Sequence, residues 1–155
     1  MAAIPRNPVR LVRRVETFPD PTAGLVVYHT GFDEYFLSDG NVWVTAGGGG
    51  IVLPFGNAIG VRTLTMLVDG VVELFDTSAG VRPLGVVQTI YEDEVLVRWI
   101  GLVHGFSDMT PGATQYASTV DGMIVEEPDP AASLFRVGQA ITANILAVQL
   151  DQPVF

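Results

Sequence analysis

Cysteine is absent from the 155 residues. That excludes a disulfide framework, a thiolate zinc site, an iron–sulfur cluster and a cysteine nucleophile, and it leaves the redox compartment unread. Lysine is absent too, since all eight basic residues are Arg; this carries no functional weight by itself. Long apolar runs are missing. The longest are a few residues, such as Gly24-Leu25-Val26-Val27-Tyr28 and the stretch from Asn144 to Val148, against the ~20 that a helix needs to span a bilayer. Residues 1–14 hold scattered Arg with Pro5 and Pro8, but no apolar segment of the signal-peptide kind. A soluble chain made in the cytoplasm, with no membrane partner, is therefore expected.

Charge is also scarce. Asp, Glu and Arg make up 16% of the chain, where a soluble domain usually carries about 25%. A charge-poor chain that does not enter a membrane must cover its surface with Ser, Thr and Gly or with partners. Composition leans toward an assembly subunit.

The charge that is present is uneven. Arg6, Arg10, Arg13 and Arg14 precede the first acid, Glu16, while residues 15–155 set four Arg against seventeen acids, for −13. Such asymmetry suggests a segment that docks on something else. Proline at 5, 8, 19 and 21 favours extended backbone. Residues 1–23 thus read as an extended basic N-terminal arm, with Ile4, Arg6, Arg10, Leu11, Val12, Arg13, Arg14 and Val15 as candidate contact residues. A second reading stays open, in which Val9 to Val15 is simply the first strand of the domain with Arg on its wet face. Nucleic acid is not an expected partner, because an acidic body repels phosphate.

From residue 24 onward the apolar segments have a period of two, or are short runs rich in Val, Ile and aromatics. Strands are expected at Leu25–His29, Glu34–Leu37, Asn41–Thr45, Arg62–Val68, Val71–Phe75, Leu84–Tyr91 and Glu94–Val103. Four more are expected at Thr114–Ser118, Met123–Glu126, Leu134–Thr142 and Ile145–Leu150. Asp69-Gly70 is the strongest hairpin signal, because a type I′ turn needs φ > 0 at both central residues. Asp39-Gly40 and Asp121-Gly122 mark further turns. No sustained helical face occurs, so one short turn around Pro130–Leu134 is the most helix expected, and Asn57–Val61 stays ambiguous. The fold class is all-β: a small β-barrel or β-sandwich of antiparallel meanders over 24–155, with 24–60 and 61–155 as possible subdomains.

Gly47 to Gly50 is followed by Ile51-Val52-Leu53-Pro54. A phosphate-cradling loop needs Lys and Ser or Thr there, then a helix, so a hairpin tip or a hinge is expected instead. Pro83 to Val97 and Arg136 to Val148 form a weak repeat of strand, turn and alternating strand, which suggests two meander units closing on one core.

The chemistry-bearing residues are sparse. His29 and His104 lack metal-ligand spacing, and no Ser lies in a G-x-S-x-G elbow. Asp33-Glu34, Glu92-Asp93-Glu94 and Glu126-Glu127 with Asp129 could supply paired carboxylates for glycoside hydrolysis, with Asp33 and Glu94 as the residues to test, but they fall at turns. Trp43, Tyr91 and Trp99 could line a glycan-binding face. No catalytic residue, cofactor or metal is expected.

The most specific stretch is Val103-His104-Gly105-Phe106-Ser107-Asp108-Met109-Thr110-Pro111-Gly112-Ala113-Thr114-Gln115-Tyr116-Ala117-Ser118. Asp121-Gly122-Met123-Ile124 follows, then Phe135-Arg136-Val137-Gly138-Gln139-Ala140-Ile141-Thr142-Ala143-Asn144-Ile145-Leu146. This resembles a small β-module of tailed-bacteriophage structural proteins, found on head fibres, decoration (cement) proteins and tail-fibre tips. Arg82 to Val103 is similar to the core hairpin of capsid-decoration proteins. The resemblance spans Val71 to Leu150, departs at His104 and Gln115, and does not reach residues 1–60. In it Pro111-Gly112 makes a tight turn, Tyr116 packs inward and Gly138 permits a bulge or close strand approach. It implies a virion structural protein on the capsid exterior, with the major capsid protein and further copies of itself (often a homotrimer) as partners. The alternative is a tail-fibre or baseplate adhesion module that binds host glycan.

Overall fold

The computed structural model describes residues 12–56, 59–128, 130 and 134–151. It is all-β, and no helix occurs among the described residues. The short turn expected around Pro130–Leu134 falls largely outside them. One sheet holds β1 (Arg13–Val15), β2 (Val26–His29), β3 (Glu34–Ser38), β4 (Trp43–Thr45), β5 (Gly50–Pro54), β6 (Leu64–Val68), β7 (Val71–Leu74), β8 (Gly85–Tyr91) and β9 (Glu94–Arg98). The other holds β10 (Ile100–His104), β11 (Thr114–Ala117), β12 (Ile124–Val125), β13 (Arg136–Ala140) and β14 (Ile145–Gln149). The strand orders are β1-β2-β3-β4-β5-β9-β8-β6-β7 and β10-β14-β13-β11-β12. All ladders are antiparallel except β1 with β2.

The turn chemistry explains the hairpins. Asp69 and Gly70 have φ of 50° and 78°, as the tight β6–β7 turn requires. Thr110-Pro111-Gly112-Ala113 closes with the Ala113 N–H donating to the Thr110 carbonyl at 3.0 Å, Gly112 having φ 85°, a type II turn with Pro and Gly in their preferred places. The two halves of the weak repeat are the β8–β9 and β13–β14 hairpins, one in each sheet.

β5 was not among the expected strands. Its Ile51 and Leu53 join a core with Val72, Leu84, Val87, Val95, Val97 and Trp99, whereas Val52 joins Val15, Val27, Phe32, Phe36, Trp43 and Leu96 on the opposite face. A strand buried on both faces has no polar alternation to read. Through β5 and β9 residues 24–60 and 61–155 share one continuous sheet. That sheet curls until Phe55 forms a single parallel bridge with Val72 of β7, and the Gly56 N–H donates to the Val72 carbonyl at 2.9 Å. Pairing stops there, so the sheet stays open and the architecture is sandwich-like. A third core of Leu64, Phe75, Val86, Val103, Val137, Leu146 and Val148 lies between the two sheets.

Two further expectations are corrected. The run Glu94–Val103 is two strands in different sheets, broken at Trp99. The Gly49 carbonyl accepts from the N–H groups of Trp99 and Ile100 at 2.8 and 3.3 Å, and Leu150 N–H donates to the Trp99 carbonyl at 2.8 Å. The glycine run is accordingly the β4–β5 hairpin tip, seated against that break. In β11 the inward residue is Gln115, 2% exposed, and Tyr116 is only half-buried. Gln115 shares the inward face of β11 with Ala117, beside a register shift in the pairing with β13, and its Nε2 donates to Ala113 O and Glu126 Oε1, both at 3.3 Å. Gly138 is a close-approach site as expected: a Cβ there would lie 2.0 Å from the Ala147 carbonyl oxygen.

Candidate interaction surface

Arg13, Arg14 and Val15 form the edge strand of the larger sheet, paired with Val27, Tyr28 and His29. Ile4, Arg6, Arg10 and Leu11 lie outside the described residues. Val15 is buried at 8% exposure, while Val12 is 41% exposed and both Arg side chains are exposed. The Val15 carbonyl accepts from the N–H of Thr30 at 2.9 Å and from its hydroxyl at 3.3 Å. Burying one Val side chain contributes about 1.5–3 kcal/mol, so the end of β1 is a built-in part of the sheet.

What seats this edge is an aromatic cluster. Phe18 stacks on Trp43 at 5.2 Å between ring centroids and lies 4.5 Å from His29, and the indole N–H of Trp43 donates to the Pro19 carbonyl at 3.2 Å. Phe32, Phe36 and Tyr91 complete the ring around His29. His29 is 1% exposed, and its Nδ1 accepts from the N–H groups of Gly31 and Phe32 at 3.1 and 3.2 Å. Burial pushes the imidazole below its ordinary pKa, while a backbone hydrogen bond to Glu16 and the charge of Glu92 act the other way.

The opposite face of β1–β3 is open. The Arg14 guanidinium lies 5.3 Å over the Tyr28 ring, within the ~6 Å range of a cation–π contact. Tyr28 and Tyr35 meet edge-on with centroids 5.0 Å apart. With Val12 they line a shallow cleft of about 410 Å³. Tyr35 is 52% exposed, and Leu37, two residues further along β3, is 37% exposed. The Tyr28 hydroxyl donates to Asp33, which pushes the phenol above its ordinary pKa. Nothing in the residue order marked Tyr28 and Tyr35 as a pair; only the β2–β3 register brings them together.

The remaining candidates separate. Trp43 and Trp99 are core residues, 4% and 6% exposed, and Tyr91 packs on His29 and Phe32, so these three cannot form a flat sugar-binding platform. Glu34 pairs through both carboxylate oxygens with Arg98 Nη2, at 3.0 and 2.9 Å. Glu92 occupies the β8–β9 turn with φ 54°. Glu94 is pushed up by burial and by its acidic neighbours Asp93 and Glu92. Glu126 accepts from the backbone N–H and hydroxyl of Thr110, which holds its carboxyl below the ordinary range. Asp129 lies outside the described residues. His104 is exposed, and among the described residues no group of three or more His, Asp or Glu could hold a metal ion. A second cleft of about 580 Å³ opens between the sheets, with Leu67, Leu84 and Phe135 on its floor and Arg82, Arg136 and Asp151 at its rim. No helix among the described residues is long and apolar enough to cross a membrane.

The second sheet presents an outer face almost free of charge. Arg136 is the single charged residue in its five strands, and Ile100 and Leu102 are 50% and 51% exposed. No protein-family model, curated protein or solved structure matches the chain.

Proposed function

We propose that the chain is a structural subunit of a bacteriophage virion that binds the capsid exterior as a decoration (cement) or head-fibre protein and stabilises the shell. The observation that carries this reading is the position of the basic segment. Arg13 and Arg14 lie on the edge strand of a sheet in an otherwise acidic chain, with Arg6 and Arg10 just before them. An edge strand offers unpaired N–H and C=O groups to a neighbouring strand. Arg offers charge-assisted hydrogen bonds to carboxylates on a capsomer. The nearly uncharged outer face of the second sheet supports contact with further copies, in which acidic bodies meet without like charges opposed. In this reading the chain carries out no catalytic step and holds no metal or cofactor.

Cryo-electron microscopy of the assembled particle tests the proposal. The expected result is density for the two-sheet body outside the shell, with the β1 edge toward the capsomers. Density confined to the tail tip would favour the second reading, an adhesion module for host glycan. That reading has its own support in the exposed Tyr35 beside Tyr28, and a glycan array separates it from capsid binding.

A further inference from the structure

We propose that His29 is a pH-sensitive latch that holds the base of the basic segment to the sheet when neutral and releases it when protonated. The Nδ1 edge of the ring is committed, accepting from the N–H groups of Gly31 and Phe32. A neutral imidazole has one donor and one acceptor nitrogen, whereas the imidazolium has two donors. Protonation therefore points an N–H at two backbone N–H groups, cancels both hydrogen bonds and leaves a charge in a cage of Phe18, Phe32, Phe36 and Tyr91.

The elements loosened by that change carry the arm. His29 is the register partner of Val15, and the 29–32 turn presents the Thr30 N–H that holds the Val15 carbonyl. Phe18 lies tilted against His29 and stacks on Trp43, bridging the two. Among the charged groups near the ring Glu92 favours an imidazolium, but burial acts more strongly the other way. Glu34, its partner across β2–β3, is already paired with Arg98. Glu16 acts through its backbone, Glu92 is exposed at the β8–β9 turn, and Tyr91 meets the imidazole edge-on at 5.2 Å between ring centroids. Asp33, at the far end of the turn, accepts from Tyr28. The lowered imidazole pKa agrees with this account.

Hydrogen–deuterium exchange on the full chain, corrected for intrinsic rates, tests the latch without any capsid, so it stands or falls apart from the docking proposal. Loss of the paired hydrogen bonds is expected to cut protection at residues 13–19 and 29–33 about tenfold between about pH 7.5 and pH 5, with β13 and β14 unchanged. His29→Asn, which keeps an acceptor where Nδ1 stands, is expected to show no such drop. Equal protection at both pH values, or the same drop in His29→Asn, overturns the proposal. Where that variant does not fold, nitrogen chemical shifts of the wild-type ring decide. A ring that charges while β14 stays protected supports the latch, and one that stays neutral until the whole chain unfolds overturns it.

Discussion

The Gly49 carbonyl accepts the backbone N–H groups of both Trp99 and Ile100, at the point where the chain passes from one sheet to the other. Gly49 has φ 83°, and a Cβ on it would lie 2.5 Å from the Ile100 carbonyl oxygen. Two costs therefore act together, left-handed backbone and a clash with a carbonyl that cannot swing away. Gly49→Ala is expected to lose about 2–3 kcal/mol in urea unfolding. Gly47→Ala, with nothing within 4 Å and no positive φ, is expected to be close to neutral. Equal effects at the two positions would show that the tip is not seated against the break.

Glu34 and Arg98 join β3 to β9 in a largely buried pair, with side-chain exposures of 27% and 12%. Arg98 Nε also donates to Gln88 Oε1 at 2.5 Å. Glu34→Gln leaves a guanidinium without its counter-charge and is expected to cost about 2–3 kcal/mol, discounted from a fully buried pair because Glu34 is part-exposed. Replacing both residues with Leu is expected to recover most of that loss, since the charge and its desolvation cost leave together. A double-mutant cycle read by chemical denaturation checks both outcomes.

Glu94 gives a pH dependence of defined sign. Its carboxyl is raised above the ordinary 4.5, chiefly by burial and then by Asp93 and Glu92, so the folded state holds its proton more tightly than the unfolded chain. Above the raised value the charged form costs the folded state stability. As pH falls through that value toward 4.5 the cost disappears. Glu94→Gln is thus expected to melt at a higher temperature than wild type near pH 7, with the two converging below the ordinary value. A gap that widens on acidification would contradict this.

The fold was readable where side-chain chemistry acts locally. Asp69-Gly70 and Pro111-Gly112 announce their turns because only certain residues take those φ values, and the strand period stands out in Glu34–Leu37 because one face is wet. Ile51-Val52-Leu53 hid because both faces are buried. The break at Trp99 hid because apolar residues continue on both sides of it, Val95 to Val97 before it and Ile100, Leu102 and Val103 after it. In the candidate surface, the excess of Arg near the N-terminus was plain in the residue order. The Arg14–Tyr28–Tyr35 face was not, since pairing across β1, β2 and β3 depends on register. Val15, read as a contact residue of the arm, is also a core residue of its own sheet. A deletion through Val15 would therefore damage the body, and charge reversal is the cleaner perturbation.

The most direct test of the proposed docking is co-sedimentation of the full chain with empty capsids built from the major capsid protein proposed as its partner. It compares wild type with a variant in which Arg6, Arg10, Arg13 and Arg14 are all Glu. The account predicts saturable wild-type binding that weakens with added salt. It also predicts loss of binding in the variant, with unfolding unchanged to within about 1 kcal/mol, the Arg13 and Arg14 side chains being exposed on the edge strand. Undiminished binding by the folded variant, or no wild-type binding at low salt, would contradict it.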